Sequence, residues 1–473
     1  MSLLNKLTFL KDPSGKSYLN WFSIWFLLYP FDAYVLPVSI GFMTIYPHLI
    51  LTFLLLVWSF FIDKKASLPF HLKSAIGYYI LLASIGLVSI FFVAGKNDAI
   101  YAARSLIMLA ATVSLILLSY AVLGREAFFD RVFQLSTIVF IFFCAAAWFE
   151  FYTGIHFESP HTNKLLLLPA SNVTYAPTFL YQNPNTFLCY IFSSALIMIL
   201  CSKKLQNSLL MLLPIIAHLM IFSIAADSQL GKLASAVMFV FFGLMSIRKG
   251  FIANYKLHVI ALLSMVILLL IVASENPIFY GPIWKKGKDY LLNSILVIKE
   301  TENKNEIEFQ SSSELVEKYG KEKIIDLYYE YQSHGKAPSS QVRKNLFLNG
   351  IYLIKKHPIV GVGAGQYSWL SAHGELPYDT GTVISPHESV VEFTSQYGIP
   401  MLLLNFVLMG MTFLFILKSQ KNKFRFAFFW AFIVAISWVV AAMPSAWLVL
   451  NCGWILMALI LVSPQLHTEN RVD

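Results

Sequence analysis

The sequence predicts an all-α polytopic membrane protein with about twelve transmembrane helices and one large, mostly helical outer loop domain. Three observations predict it. Of the 473 residues, 57% are hydrophobic and 13% charged, and the mean hydropathy is +0.65, a composition foreign to soluble domains. Apolar runs of about 18 to 22 residues recur, each long enough to cross a hydrocarbon core of about 30 Å as a helix. Basic residues gather in every second connection between those runs, as they do in cytoplasmic loops.

The first run, Leu19 to Ile40, follows a polar basic stretch and contains Asp32 and two prolines. No small-residue cleavage site follows it, so it is expected to be a spanning helix and not a removed signal. The further expected spans are Met43 to Ile62, Ser74 to Val93, Tyr101 to Leu123, Val132 to Phe151, Thr186 to Cys201, Leu209 to Ala226, Leu230 to Ile247 and Leu257 to Ser274. Tyr397 to Leu417, Phe426 to Ala442 and Trp447 to Ser463 complete the set. The expected organisation is a membrane domain over 1–274, a loop domain over 275–396, and a membrane domain over 397–473.

With the N-terminus inside, the cytoplasmic connections hold Lys64, Lys65 and Lys73, then Arg125 and Arg131, then Lys203 and Lys204. Arg248, Lys249 and Lys256 follow, and finally Lys418, Lys421, Lys423 and Arg425. The short outer connections carry mainly Lys96 and Lys164, with Lys232 at the top of a helix. Both termini are therefore expected in the cytoplasm. This topology accounts for the formal charge of +9 without nucleic acid, because no soluble domain carries the excess as a stripe with interleaved aromatics. Cys144, Cys189, Cys201 and Cys452 all fall inside apolar runs, with no CxxC pair and no histidine at metal spacing, so neither disulfides nor a metal site are expected.

Two long segments then lie outside, Tyr152 to Asn185 and Glu275 to Gln396. In the second, Asp289 to Glu300, Glu314 to Gln332 and Gln341 to Lys356 read as helices. The third follows Ser339 and Ser340, which suit an N-cap, and stops at His357-Pro358. The run Gly361-Val362-Gly363-Ala364-Gly365 must be a turn or open loop, one that lets backbone come close to the membrane surface or a substrate. It resembles a dinucleotide fingerprint only superficially, because no βαβ unit surrounds it. In the smaller segment, Pro184 after Asn183 fits a helix start.

An enzyme that uses a lipid-diphosphate donor must stabilise the leaving diphosphate and deprotonate an acceptor hydroxyl. No Asp-x-Asp or Asp-Asp pair stands ready to hold a metal, so side-chain cations must serve. Arg343 is the best placed, with Lys344 beside it and Lys355 and Lys356 further along the same helix. Their spacing equally fits the solvated face of an amphipathic helix. His387, in Ser385-Pro386-His387-Glu388-Ser389, titrates near neutrality and has Glu392 about one turn later; an ordinary interface histidine is the other reading. Lys232, beside Asp227 and Ser228, is a ligand or a snorkelling anchor. Arg104 is a ligand or the partner of Asp98 or Asp32.

The stretch from Arg343 to Gly398 resembles the signature of the O-antigen ligase and polymerase superfamily. It has an arginine-bearing helix, then His-Pro-Ile-Val-Gly-Val-Gly-Ala-Gly-Gln-Tyr, then Pro-His with Glu392 close behind. The resemblance implies an inverting, metal-independent glycosyltransferase of the bacterial inner membrane that needs no cofactor. It would move a glycan from an undecaprenyl-diphosphate carrier to a hydroxyl on a lipid A core or on a second lipid-linked repeat. Arg343 would match the arginine that contacts diphosphate, His387 the histidine that activates the acceptor, and Glu392 the acid that follows. Lys232, Lys344, Arg104 and Asn185 would contribute to donor or glycan binding. Two departures stand out. Relatives commonly have Ser-Arg where this chain has Ser228-Gln229, and His-Asn where it has His387-Glu388.

A transporter or flippase for lipid-linked glycan or a small anion is the rival reading. It would gather its polar groups near the midplane on broken, repeated helices, whereas here they cluster in the expected outer segments. A non-catalytic assembly scaffold would have no need of the histidine-arginine pair.

Overall fold

The computed structural model describes residues 15–34, 38–40, 43–45, 47–153, 184–207, 209–226, 228–247, 297–300, 307–310, 339–380, 386, 388–419, 423–444 and 450–467. The described residues are overwhelmingly helical. The helices are α1 (Lys16–Leu28), α2 (Pro47–Ser59), α3 (Phe70–Ser89), α4 (Lys96–Leu123), α5 (Arg125–Thr153), α6 (Pro184–Cys201), α7 (Lys203–Asn207), α8 (Leu209–Ala225) and α9 (Gln229–Ile247). After them come α10 (Ser339–Lys356), α11 (Gln366–Ala372), α12 (Ser389–Ser419), α13 (Lys423–Ala441) and α14 (Asn451–Val462). Among the described residues, α3, α4, α5, α6, α12 and α13 are long and apolar enough to cross a membrane, which makes the chain an integral membrane protein with six such candidate spans.

The helix limits follow from local chemistry. Helix α4 begins after Gly95 with Asp98 in its first turn, where a carboxylate meets the positive end of the helix dipole. It ends at Gly124, whose φ of 79° a side chain would resist. Pro184 opens α6, where its missing N–H costs nothing. Ser228 caps α9 by accepting from the Gly231 amide at 3.2 Å.

Three expectations fail on described residues, one of them the span Met43 to Ile62, whose first residues Met43–Ile45 form a strand and whose helix covers only Pro47–Ser59. The apolar run from Leu19 to Ile40 is not one helix. Helix α1 ends at Leu28, a 3-10 turn spans Tyr29–Tyr34, and a hairpin pairs β1 (Val38–Ile40) with β2 (Met43–Ile45). Pro30 cannot continue an α-helix ladder, and hydropathy alone does not register that. The reading of Asp289 to Glu300 as a helix also fails at its end, where β3 (Val297–Glu300) pairs antiparallel with β4 (Ile307–Gln310). Val297, Ile298 and Ile307 are β-branched and favour the ladder over a helix. The expected span from Leu257 to Ser274 and the expected helix from Glu314 to Gln332 lie outside the described residues.

Helix α4 is the axis of the bundle. It is buried along nearly its whole length and packs against α2, α3, α5 and α14. Tyr18 and Tyr29 of the first segment reach it through hydroxyl contacts with Ser119 at 2.8 Å and Thr112 at 2.7 Å. Buried hydroxyls in an apolar bundle need such partners. Because successive helices alternate in direction, the basic connections collect at one end. There the Lys65 amide donates to the Ala121 carbonyl at 2.8 Å, and the Phe426 ring lies 4.2 Å from that of His467. Lys64, Lys73, Arg125, Lys203, Lys418 and Lys423 belong to the same end.

Candidate functional site

The opposite end is where α3 stops, α4 starts, and the residues 339–380 and 388–397 pack. Its organiser is the glycine run 361–365. Gly361, Gly363 and Gly365 have φ of 67°, 98° and 73°, conformations open to glycine. A Cβ on Gly361 would overlap the Gln396 backbone, and one on Gly365 would overlap the Asp98 carbonyl. The run hydrogen-bonds in two directions. The Val362 and Gly363 amides donate to the Ser395 and Gln396 carbonyls at 2.9 and 3.0 Å, and the Gly365 amide donates to Gln396 Oε1 at 2.5 Å. The Ala364 amide donates to Ser89 Oγ at 3.2 Å. Gln366 then exchanges a reciprocal pair with Gly95, accepting at 3.2 Å and donating at 3.0 Å. The glycines therefore bring this loop against other backbone of the chain, where the sequence had pointed to approach to the membrane surface or a substrate.

Helix α12 is two pieces. Gly398 has φ of 82° and ψ of 167°, and Pro400 follows, so a short buried helix 389–397 turns sharply into the apolar piece 399–419. Helix α10 lies parallel to the short piece in a constant register. Gly350 faces Val391, and eight residues on in each chain direction the Ile399 amide donates to the Pro358 carbonyl at 2.8 Å. By helical periodicity Arg343 shares the flank of Gly350, the flank turned to α12.

Arg343 and Lys344 are both exposed, and among the described residues nothing accepts from the Arg343 guanidinium. Glu392 is buried in the first turn of α12. Burial, and after it the Glu392 carboxylate, push the Tyr367 hydroxyl above the usual tyrosine range. That hydroxyl donates to the Leu346 carbonyl at 2.6 Å, so Tyr367, α10 and Glu392 form one packed unit. His387 lies outside the described residues; its neighbour Glu388 is described. Glu388 Oε2 accepts from the Val391 amide at 2.6 Å and caps α12. An asparagine at that position would cap equally well, so the departure from His-Asn keeps the helix start intact.

The other sequence-derived residues stand apart from this unit. Arg104 is exposed on α4, the helix to which the glycine loop is stitched. Asn185 is the second residue of α6, and Lys232 is half-buried in the first turn of α9. The side chains of Asp32 and Gln229 are outside the described residues. One anchor escaped sequence reading. Asn349, fully buried, holds Tyr378 from both sides, donating to its carbonyl at 2.8 Å and accepting from its amide at 3.0 Å. An asparagine in the middle of an apolar helix face was the available signal.

Residues 214–406 match the family model described as O-antigen ligase. Over that stretch the chain is similar to the O-antigen ligases. The match carries the resemblance to the O-antigen ligase and polymerase superfamily, and it takes in Arg343, Lys344, His387, Glu392 and Lys232. Arg104 and Asn185 fall before it. A comparison with curated proteins gave no match.

Proposed function

We propose that this chain is a membrane glycosyltransferase that moves a glycan from an undecaprenyl-diphosphate carrier to an acceptor hydroxyl, as an O-antigen ligase or polysaccharide polymerase. The observation that carries the reading is the parallel register of α10 and helix 389–397. It supports a site in which Arg343, exposed and without an acceptor among the described residues, stands on the flank of α10 turned to the short helix that carries the buried Glu392. The similarity over 214–406 supports the same chemistry.

In this reading Arg343 holds the diphosphate by its planar fork of donors, and Lys344, Lys232 and Arg104 add positive charge where the leaving group develops. His387 takes the proton of the acceptor hydroxyl as the oxygen attacks the anomeric carbon in line with the departing diphosphate, which inverts the configuration. Glu392 orients the imidazole, and Asn185 contributes to the glycan side. The side chains supply the cations, so the step is written without a metal. The segment 275–396 serves as the outer domain. The positive-inside rule puts the basic end of the bundle in the cytoplasm of a bacterial inner membrane, and the site on the other face.

The test is transfer by Arg343→Ala in the membrane-inserted protein. The expected result is normal insertion with glycan transfer abolished, and transfer at the wild-type rate sinks the assignment. Display of surface glycan from a deletion strain separates the acceptors. No attached chain indicates a ligase, and a single attached repeat indicates a polymerase.

A further inference from the structure

Four apolar side chains at the site end of the bundle are largely uncovered by the rest of the chain. Phe91 is 80% exposed and Phe92 83%, in the turn that ends α3. Ile359 and Val360, each 71% exposed, sit in the turn that ends α10. The two turns are tied to one clamp. Ser89 and Val93 flank the phenylalanines and both touch the glycine run, through the Ala364 amide and at Gly363. The aliphatic pair is held from the other side, where Gly398 admits the Ile359 carbonyl.

The depth of this clamp can be read from helix lengths. From the exposed Phe70 at the other end of α3 to Phe91 is a rise of about 30 Å, the thickness of a hydrocarbon core. From Ile399 to Ser419 the apolar piece of α12 covers the same distance, about 30 Å. The His71 and Phe415 rings, 4.5 Å apart, set the two helices level at the other end, so Gly398 and Phe91 come within about 5 Å of one height, at one boundary plane of the bilayer. Ile359 and Val360, fixed to Gly398 and Ile399 by backbone, lie at that plane although they belong to no span. Lys355 and Lys356 precede them on exposed positions, at the height of lipid phosphates.

We propose that the turn 358–360 is a membrane-interface anchor, seated with Phe91 and Phe92 in the headgroup region of an anionic bilayer, with Lys355 and Lys356 on lipid phosphates. The anchor sets the height of α10 above the membrane, whatever reaction the chain carries out. Its failure would leave the glycosyltransferase reading intact, and the reverse also holds.

The experiment uses the full chain in lipid nanodiscs containing phosphatidylglycerol, with Ile359→Cys labelled by an environment-sensitive fluorophore. The four native thiols are buried, so the introduced one is selected. Lys344→Cys, on the exposed side of α10, reports water, and Phe406→Cys, exposed on the apolar piece of α12, reports lipid. The anchor predicts blue-shifted emission at 359 that lipids spin-labelled near the headgroup quench more than lipids labelled at the chain end. Water-like emission at 359 overturns it. So does a blue shift that no labelled lipid quenches, because a protein surface would then cover the turn. In neutral nanodiscs the shift at 359 should weaken, as it should with Lys355→Gln and Lys356→Gln together; an equal shift in all three overturns the role of the lysines.

Discussion

Gly398 and Ile359 are in backbone contact, with the Ile359 carbonyl occupying the space a Cβ on Gly398 would need. This contact joins α10 to the break in α12, and it fixes the register on which the site depends. Gly398→Ala must strain a φ of 82°, at about 1 kcal/mol or more, and must also push backbone apart. The expected result is a thermal unfolding midpoint in detergent several degrees lower, with glycan transfer lost before the fold is. An unaltered midpoint would show that the contact does not hold the register.

Gly350 and Val391 are a second close pair, this time against a side chain. Gly350→Ala should destabilise by roughly 1–3 kcal/mol through overpacking. Val391→Ala opens space at the same point. The double variant should therefore regain much of the loss, with a coupling of about 1 kcal/mol in a double-mutant cycle on unfolding free energies. Strict additivity would count against direct packing.

Glu388 is expected to act as a helix cap. Glu388→Ala should cost about 1 kcal/mol of stability, whereas Glu388→Asn should cost almost none and keep transfer. If Glu388→Asn abolishes transfer while unfolding is unchanged, the carboxylate serves the reaction itself.

Asn349→Leu keeps the branched shape without the two hydrogen bonds to Tyr378. The loop at 376–380 should loosen, with a loss of about 1–3 kcal/mol from the unpaired backbone groups of Tyr378. Hydrogen exchange at the Tyr378 amide measures it. Protection equal to wild type would mean that other contacts hold the loop.

Much of the architecture was legible in the chain. Of the expected spans from Ser74 onward, all but Leu257 to Ser274 overlap described helices, α3 to α6, α8, α9, α12, α13 and α14, and six of these are long and apolar enough to cross a bilayer, because a bilayer demands long apolar helices and leaves little else possible. Helix α10 was readable from its serine start and its proline stop. The first run misled because a proline and a hairpin strand within it weigh little in hydropathy. Of the candidate site, the residue types were legible and their relations were not.

What the sequence by itself determined is that the chain crosses a membrane, where its charges gather, and which residues carry the superfamily likeness. Only the tertiary structure decided what the glycines at 361, 363, 365 and 398 are for, and that Glu388 caps a helix. It also decided that α10 runs parallel to helix 389–397, with Tyr367 against the Glu392 charge. The reason is physical. Hydrophobicity and charge act on each segment separately and are written locally, whereas a positive φ, a cap or a helix register exists only when two distant stretches of backbone meet.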